Sequence, residues 1–197
     1  MNAPATVRRR RPEQLDKGTY GQEIDRVDWT YYDTLTLDPA VSQYILFNSS
    51  AGKDLSLTNY NGNGTFPRAQ KLRIKAFKVE YTSNSVKNTA AIDSLYQLFN
   101  RSTIQLTITN QPPSYQKTLM ETMGIPLAFH ATPTVAGNNE LIESFGRFLG
   151  IDPINRAIVL AELTPFTVPI NFYLPVPAAL AGDQIRIGLA GMLRRYV

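Results

Sequence analysis

The sequence predicts an all-β domain, a sandwich or barrel of roughly eight short strands. Three observations predict it. Thr, Tyr, Phe, Ile and Val are plentiful, and these residue types suit a pleated, half-buried surface. Apolar and polar residues alternate with period two, most cleanly over residues 103–109 and 166–172. Pro, Gly and Asn-Gly turn signals are scattered between such segments instead of gathering in one linker.

Residues 1–28 form a polar block ahead of the strands. Arg8, Arg9, Arg10 and Arg11 are contiguous, and Pro12 follows. These arginines and Lys17, against Glu13 and Asp16, leave the first 17 residues at +3 of the chain's formal +4. The block has too few apolar residues for a core. It is expected to be an extended basic arm that orders only against a partner. The remainder, residues 29–197, has the length of one domain that can bury a core without covalent staples.

The strand pattern starts at Trp29 and runs to Leu37, where Asp38-Pro39 ends it. Asp33 is out of place there. It implies a basic partner across the sheet or an earlier strand end. Tyr44-Ile45-Leu46-Phe47 is a short apolar run followed by a polar loop, and Asn59-Tyr60-Asn61-Gly62-Asn63-Gly64 is a turn. Residues 71–81 make a long strand in which the apolar parity flips, from Leu72 and Ile74 to Phe77, Val79 and Tyr81. The flip predicts a β-bulge near Ala76-Phe77, unless both faces are covered.

Residues 90–99 carry Ile92, Leu95, Tyr96 and Phe99 at helical spacing, with Asn88 or Thr89 as the cap. Residues 114–139 hold no clear pattern beyond a strand-like stretch at 125–129 and a loop at 132–139. A second short helix is expected over 140–149, on the spacing of Leu141, Phe145 and Phe148. Strands follow at 157–163, 166–173 and 184–196, the second an edge or locally unpaired strand because of Pro169. Alternation places Arg194 and Arg195 on opposite faces of the last strand.

Few residues offer chemistry. The chain has no cysteine, which excludes disulfides, thiolate metal sites and cysteine nucleophiles. Its one histidine, His130, lies before a Thr-Pro loop and reads as a residue without catalytic duty. Glu140 and Glu143 could share a helix face, but such pairs usually form a solvated surface. Asn61-Gly62-Asn63-Gly64 lacks the third glycine and the strand-to-helix context of a phosphate loop. No catalytic, cofactor-binding or metal-binding residue is assigned, and the chain is expected to be no enzyme. Arg8, Arg9, Arg10 and Arg11 are the candidate contacts to nucleic acid or another phosphate-bearing inner surface. Charged residues make up only 18% of the chain, below the roughly 25–35% usual for surfaces of small soluble domains. The deficit points to surfaces covered by other subunits.

Three stretches carry a family resemblance. They are Tyr44-Ile45-Leu46-Phe47 with Asn63-Gly64-Thr65-Phe66-Pro67, residues 71–79, and the closing pair 166–174 and 185–197. In this texture the chain resembles the jelly-roll capsid proteins of tailless icosahedral bacteriophages. The resemblance covers most of residues 29–197. It implies an eight-stranded single jelly-roll β-sandwich with one or two short helices. It also implies a virion structural protein, the major capsid protein, made in the host cytoplasm. Such a protein self-assembles into capsomers of a shell around DNA. The implied partners are copies of itself and other capsid proteins, with nucleic acid or an internal membrane met through the arm. No cofactor or catalytic residue carries over from that family. A vertex, minor capsid or spike protein is the alternative, as is a lectin-like binding sandwich.

Overall fold

Successive side chains of a β-strand face opposite ways, so a strand in a sandwich buries one parity and exposes the other. The structure, a computed structural model, describes residues 24–85, 87–109, 111–123 and 147–196. Of Ile24, Thr89, residues 147–150 and Tyr196 it describes the backbone alone. The expected strand at 125–129, the loop at 132–139 and most of the arm lie outside the described residues.

The strands are β1 (Ile24–Thr36), β2 (Gln43–Leu46), β3 (Gln70–Thr82), β4 (Ser102–Ile108), β5 (Tyr115–Lys117), β6 (Arg147–Leu160), β7 (Phe166–Phe172) and β8 (Gln184–Tyr196). Helix α1 (Thr89–Asn100) joins β3 to β4, and the short α2 (Leu119–Met123) follows β5. The strands form two antiparallel four-stranded sheets, ordered β1-β8-β3-β6 and β2-β7-β4-β5. Strand β1 pairs with β8, β2 with β7, β3 with β6 and β4 with β5. A long hairpin rolled around a core gives this nesting, and it is the single jelly roll that was expected.

Alternation fills the space between the sheets. Leu72, Ile74, Phe77, Val79 and Tyr81 of β3 and Ile185, Ile187 and Leu189 of β8 are buried from one side. Ile104 and Leu106 of β4 and Phe166, Val168, Ile170 and Phe172 of β7 are buried from the other. Each large side chain so buried contributes about 1.5–3 kcal/mol. Phe77 stacks on Tyr115 across the two sheets, with ring centroids 4.0 Å apart. Tyr31, Phe47, Tyr60, Phe66 and Phe166 meet in mostly edge-to-face contacts and join β1, β7 and the loop from β2 to β3.

The parity flip in β3 is a bulge. The register with both neighbours shifts between Ile74 and Ala76: against β8 Lys75 is the extra residue, while against β6 it faces the four residues from Ile154 to Ala157. Gly191 of β8 lies opposite Ile74, and a Cβ there would stand 1.9 Å from the carbonyl oxygen of Arg73. The bulge therefore depends on a residue without a side chain in the facing strand. Helix α1 begins where Asn88 Oδ1 accepts the Ala91 N–H at 2.9 Å. It buries Ala91, Ile92, Leu95, Leu98 and Phe99 on the core.

Four sequence expectations are corrected. Strand β1 begins at Ile24 instead of Trp29, because its first residues pair with Leu193, Arg194, Arg195 and Tyr196 of β8. The helix expected over 140–149 does not include residues 147–149, which open β6. Their backbone pairs with Thr82, Tyr81 and Glu80, while residues 140–146 lie outside the described residues. Strand β6 starts at Arg147 instead of Ala157 and ends at Leu160 instead of Leu163. Its first half is hidden by Gly150 and Pro153. Strand β7 is not at an edge, since it lies between β2 and β4. Pro169 still interrupts pairing as expected. Ser102, Thr103 and Ile104 pair with β7, as do Thr107 and Ile108, while Gln105 and Leu106 do not.

Candidate functional site

Buried charge is the usual place to look for chemistry. Among the described residues three aspartates are buried: Asp33, Asp152 and Asp183. Each is held by a lysine. Asp33 Oδ1 accepts from Lys53 Nζ at 2.6 Å and from its neighbour Thr34 N–H at 3.0 Å. Asp33 Oδ2 accepts from Phe47 N–H at 2.7 Å. The partner foreseen for Asp33 exists, but it comes from the loop after β2 and not from a facing strand.

Asp152 on β6 accepts from Tyr115 Oη at 2.7 Å and from Lys117 Nζ at 2.9 Å, both on β5 of the other sheet. Asp183 opens β8. It accepts from Tyr81 Oη at 2.6 Å and the Asn84 N–H at 2.9 Å, with Lys87 Nζ at 3.0 Å. Burial pushes the Tyr81 and Tyr115 phenols well above the ordinary value, and their bonds to the carboxylates push the same way. These phenols stay protonated and donate. The three sites are internal ion pairs that tie loops and sheets together. Among the described residues no cluster of His, Asp and Glu is arranged to hold a metal ion.

The outer faces of the two sheets differ sharply in charge. On the β2-β7-β4-β5 sheet the outward parity is Gln43 and Ile45, Thr167, Pro169 and Asn171, Thr103, Gln105 and Thr107, and Gln116. None of these bears a formal charge. They stand in cross-strand rows: Gln43 by Asn171 by Thr103, and Gln105 by Gln116. Tyr173 continues β7 at 66% exposure, its hydroxyl 3.2 Å from Thr103 Oγ1, and Ile45 is 49% exposed. The nearest charge along β4 is Arg101, which caps α1.

The outer face of the β1-β8-β3-β6 sheet is basic. Arg26 of β1, Lys71, Arg73, Lys75 and Lys78 of β3, and Arg186 and Arg194 of β8 share it, against Asp28 and Glu80. Arg186 is fixed in place. It lies 3.5 Å from Glu80, donates to Thr34 Oγ1 at 3.2 Å and covers the Tyr32 ring at 4.8 Å. Two shallow depressions open on this face. One, of about 270 Å³, is lined by Lys71, Arg73, Ala157, Val159 and Arg194. The other, of about 360 Å³, is lined by Asp28, Trp29, Thr30, Lys75, Ala76, Lys78, Ala190 and Gly191.

No family model and no curated protein matches the chain.

The sequence's own candidates fall differently. Arg8, Arg9, Arg10 and Arg11 lie outside the described residues, as do His130, Glu140 and Glu143. Arg195 is in β8, 2.6 Å from the exposed Asp25 of β1. Asn61-Gly62-Asn63-Gly64 lies in the loop from β2 to β3 and bends at Asn63-Gly64, with Gly64 at φ +68°. Sequence reasoning missed Asp152 and Asp183 and the asymmetry of the two sheet faces. The asymmetry is present in the sequence. Lys71, Arg73 and Lys75 alternate along one strand, while Thr103, Gln105 and Thr107 alternate along another. Only the sheet order reveals that one set joins other bases and the other joins other neutral residues.

Proposed function

We propose that this chain is a shell-forming structural protein, a capsid subunit of the major type, acting in the virion by binding copies of itself. The observation that carries this reading is the outer face of the β2-β7-β4-β5 sheet, with no formal charge on any outward residue of its four strands. Charged residues are depleted at the centre of protein interfaces. A solvated sheet face interleaves Lys and Glu for solubility and to block edge and face association. This face carries instead amides and threonines, which can hydrogen-bond to a partner, and the exposed Ile45 and Tyr173, which can be buried by it.

The occupant is a second copy of the chain. A jelly roll that repeats one contact by closed symmetry yields a ring or shell, and permanent contacts of this kind often bury more than roughly 2,000 Å². The three buried ion pairs serve as internal ties that hold the loops in register for such contacts.

Paired charge substitution tests the proposal. Gln105→Glu with Thr107→Glu adds like charges at the centre of the face without touching the core. Light scattering and electron microscopy of the full chain should show assemblies for the natural sequence and dispersed subunits for the variant. The variant's thermal unfolding should change little, since such surface changes are usually within about 0.5 kcal/mol. Assemblies of the same size from both proteins would refute the proposal.

A further inference from the structure

The basic face of the β1-β8-β3-β6 sheet has no part in the proposed contact between copies. Lys71, Arg73 and Lys75 are exposed, and among the described residues none pairs with a carboxylate. They alternate along β3, so their Cα atoms are spaced by up to about 7 Å. Lys75, the extra residue against β8, is exposed while the buried parity changes from Ile74 to Phe77 around it. Lys71 is directly opposite Arg194 of β8. Lys78 reaches over Gly188 toward Thr30 Oγ1, 3.3 Å away. The result is a grid of cations above a floor of small side chains. Asp28 and Glu80 offset part of its mutual repulsion, and a dense negative partner would offset the rest.

Among the described residues a second copy of this chain shows no dense acidic patch to serve as that partner. Among the described acids, Asp33, Asp152 and Asp183 are buried. Asp38, Asp54, Glu121 and Glu162 are scattered in loops and at the short helix, each accepting a backbone N–H. Asp28 and Glu80 lie on the basic face itself, Asp25 is paired with Arg195, and Asp93 stands on α1. A lipid surface fits less well. Interfacial binding needs a continuous apolar surface that reaches below the headgroups, whereas the exposed apolar side chains here are each set beside a cation: Val159 opposite Arg73, Ile151 opposite Lys78, and Trp29 in the depression with Lys75 and Lys78.

We propose that this face binds the phosphate backbone of nucleic acid, independently of sequence, through Lys71, Arg73, Lys75 and Lys78. This four-stranded face is broader than the helix or two-stranded ribbon that a major groove admits. Its cations neutralise phosphates and release counterions, which gives affinity without base readout. Its residues are not those of the arginine run at 8–11, and the proposal stands whether or not copies of the chain assemble.

The test is fluorescence anisotropy of a labelled random-sequence DNA duplex titrated with the full chain across a range of salt concentrations. The triple variant Lys71→Gln, Arg73→Gln, Lys75→Gln should bind at least about tenfold more weakly near 0.1 M salt. The slope of log K against log salt should fall in magnitude by about 2.7, or 0.9 for each phosphate left unneutralised. Lys71→Gln alone should show about a third of that change in slope, a check if the triple variant folds poorly by circular dichroism. A companion variant, with Arg8, Arg9, Arg10 and Arg11 all changed to Gln, should keep the slope contribution of the face. Three outcomes overturn the proposal: unchanged duplex binding by the triple variant, loss of all binding in the arm variant alone, or binding of the natural chain to phosphatidylserine vesicles but not to duplex. Light scattering on the same samples reads assembly separately.

Discussion

Asp33 is 1% exposed in the middle of β1, where a carboxylate would ordinarily be costly. It is tolerated because Lys53, the Thr34 N–H and the Phe47 N–H satisfy it. Asp33→Ala leaves the Phe47 N–H without its acceptor and Lys53 without its counter-charge. Breaking such a pair from one side typically costs about 3–5 kcal/mol. Lys53 is 25% exposed and can rehydrate, so the loss should fall near the lower end. Urea unfolding of the variant reads it, and a loss under about 1 kcal/mol would show that the pair does not secure the loop. The sequence signalled that Asp33 needed a basic partner. It could not name Lys53, because the contact depends on how the loop after β2 folds back over β1.

At the scale of elements, buried phenols act as ties. Tyr81 joins β3 to the start of β8 through Asp183, and Tyr115 joins β5 to β6 through Asp152. Tyr60 donates to the Thr65 carbonyl at 2.6 Å within the loop from β2 to β3. Burial raises all three above the ordinary tyrosine value of 10.0. A group whose native pKa is raised lends stability that is complete below its unfolded pKa and is lost as pH climbs toward the native value. The melting temperature should therefore hold up to about pH 10 and drop steeply beyond it. Tyrosinate absorbance should appear for these residues only on unfolding. Titration of every tyrosine near pH 10 without loss of structure would contradict the assignment. Elements with long, regular alternation were legible in advance: β3 with its bulge, β4, β7, β8 and α1. Strand β5 is three residues long, too short to show a period. The first half of β6 carries Gly150 and Pro153, which read as turn signals. Its strand form comes from pairing with β3, a tertiary cause that local pattern does not carry.

For the whole molecule, the nesting of β1 with β8 down to β4 with β5 fixes which residues share an outer face. A neutral face and a basic face then lie on opposite sides of one core. The sequence showed the scarcity of charge but not its segregation, since each face draws residues from strands far apart in the chain. The basic arm was the visible cationic feature. The sheet adds a second one, assembled from Arg26, β3 and β8. Under the two proposals, the neutral face meets copies of the chain and the basic face meets a polyanion.

Hydroxyl-radical footprinting of the assembled and the dispersed chain tests the neutral-face contact most directly. Ile45 and Tyr173 report on one face, and Ile151 and Val159, 51% and 43% exposed, report on the other. Assembly should protect Ile45 and Tyr173 while Ile151 and Val159 stay reactive. The reverse pattern, or equal reactivity of Ile45 and Tyr173 in both states, would contradict the proposed assembly surface.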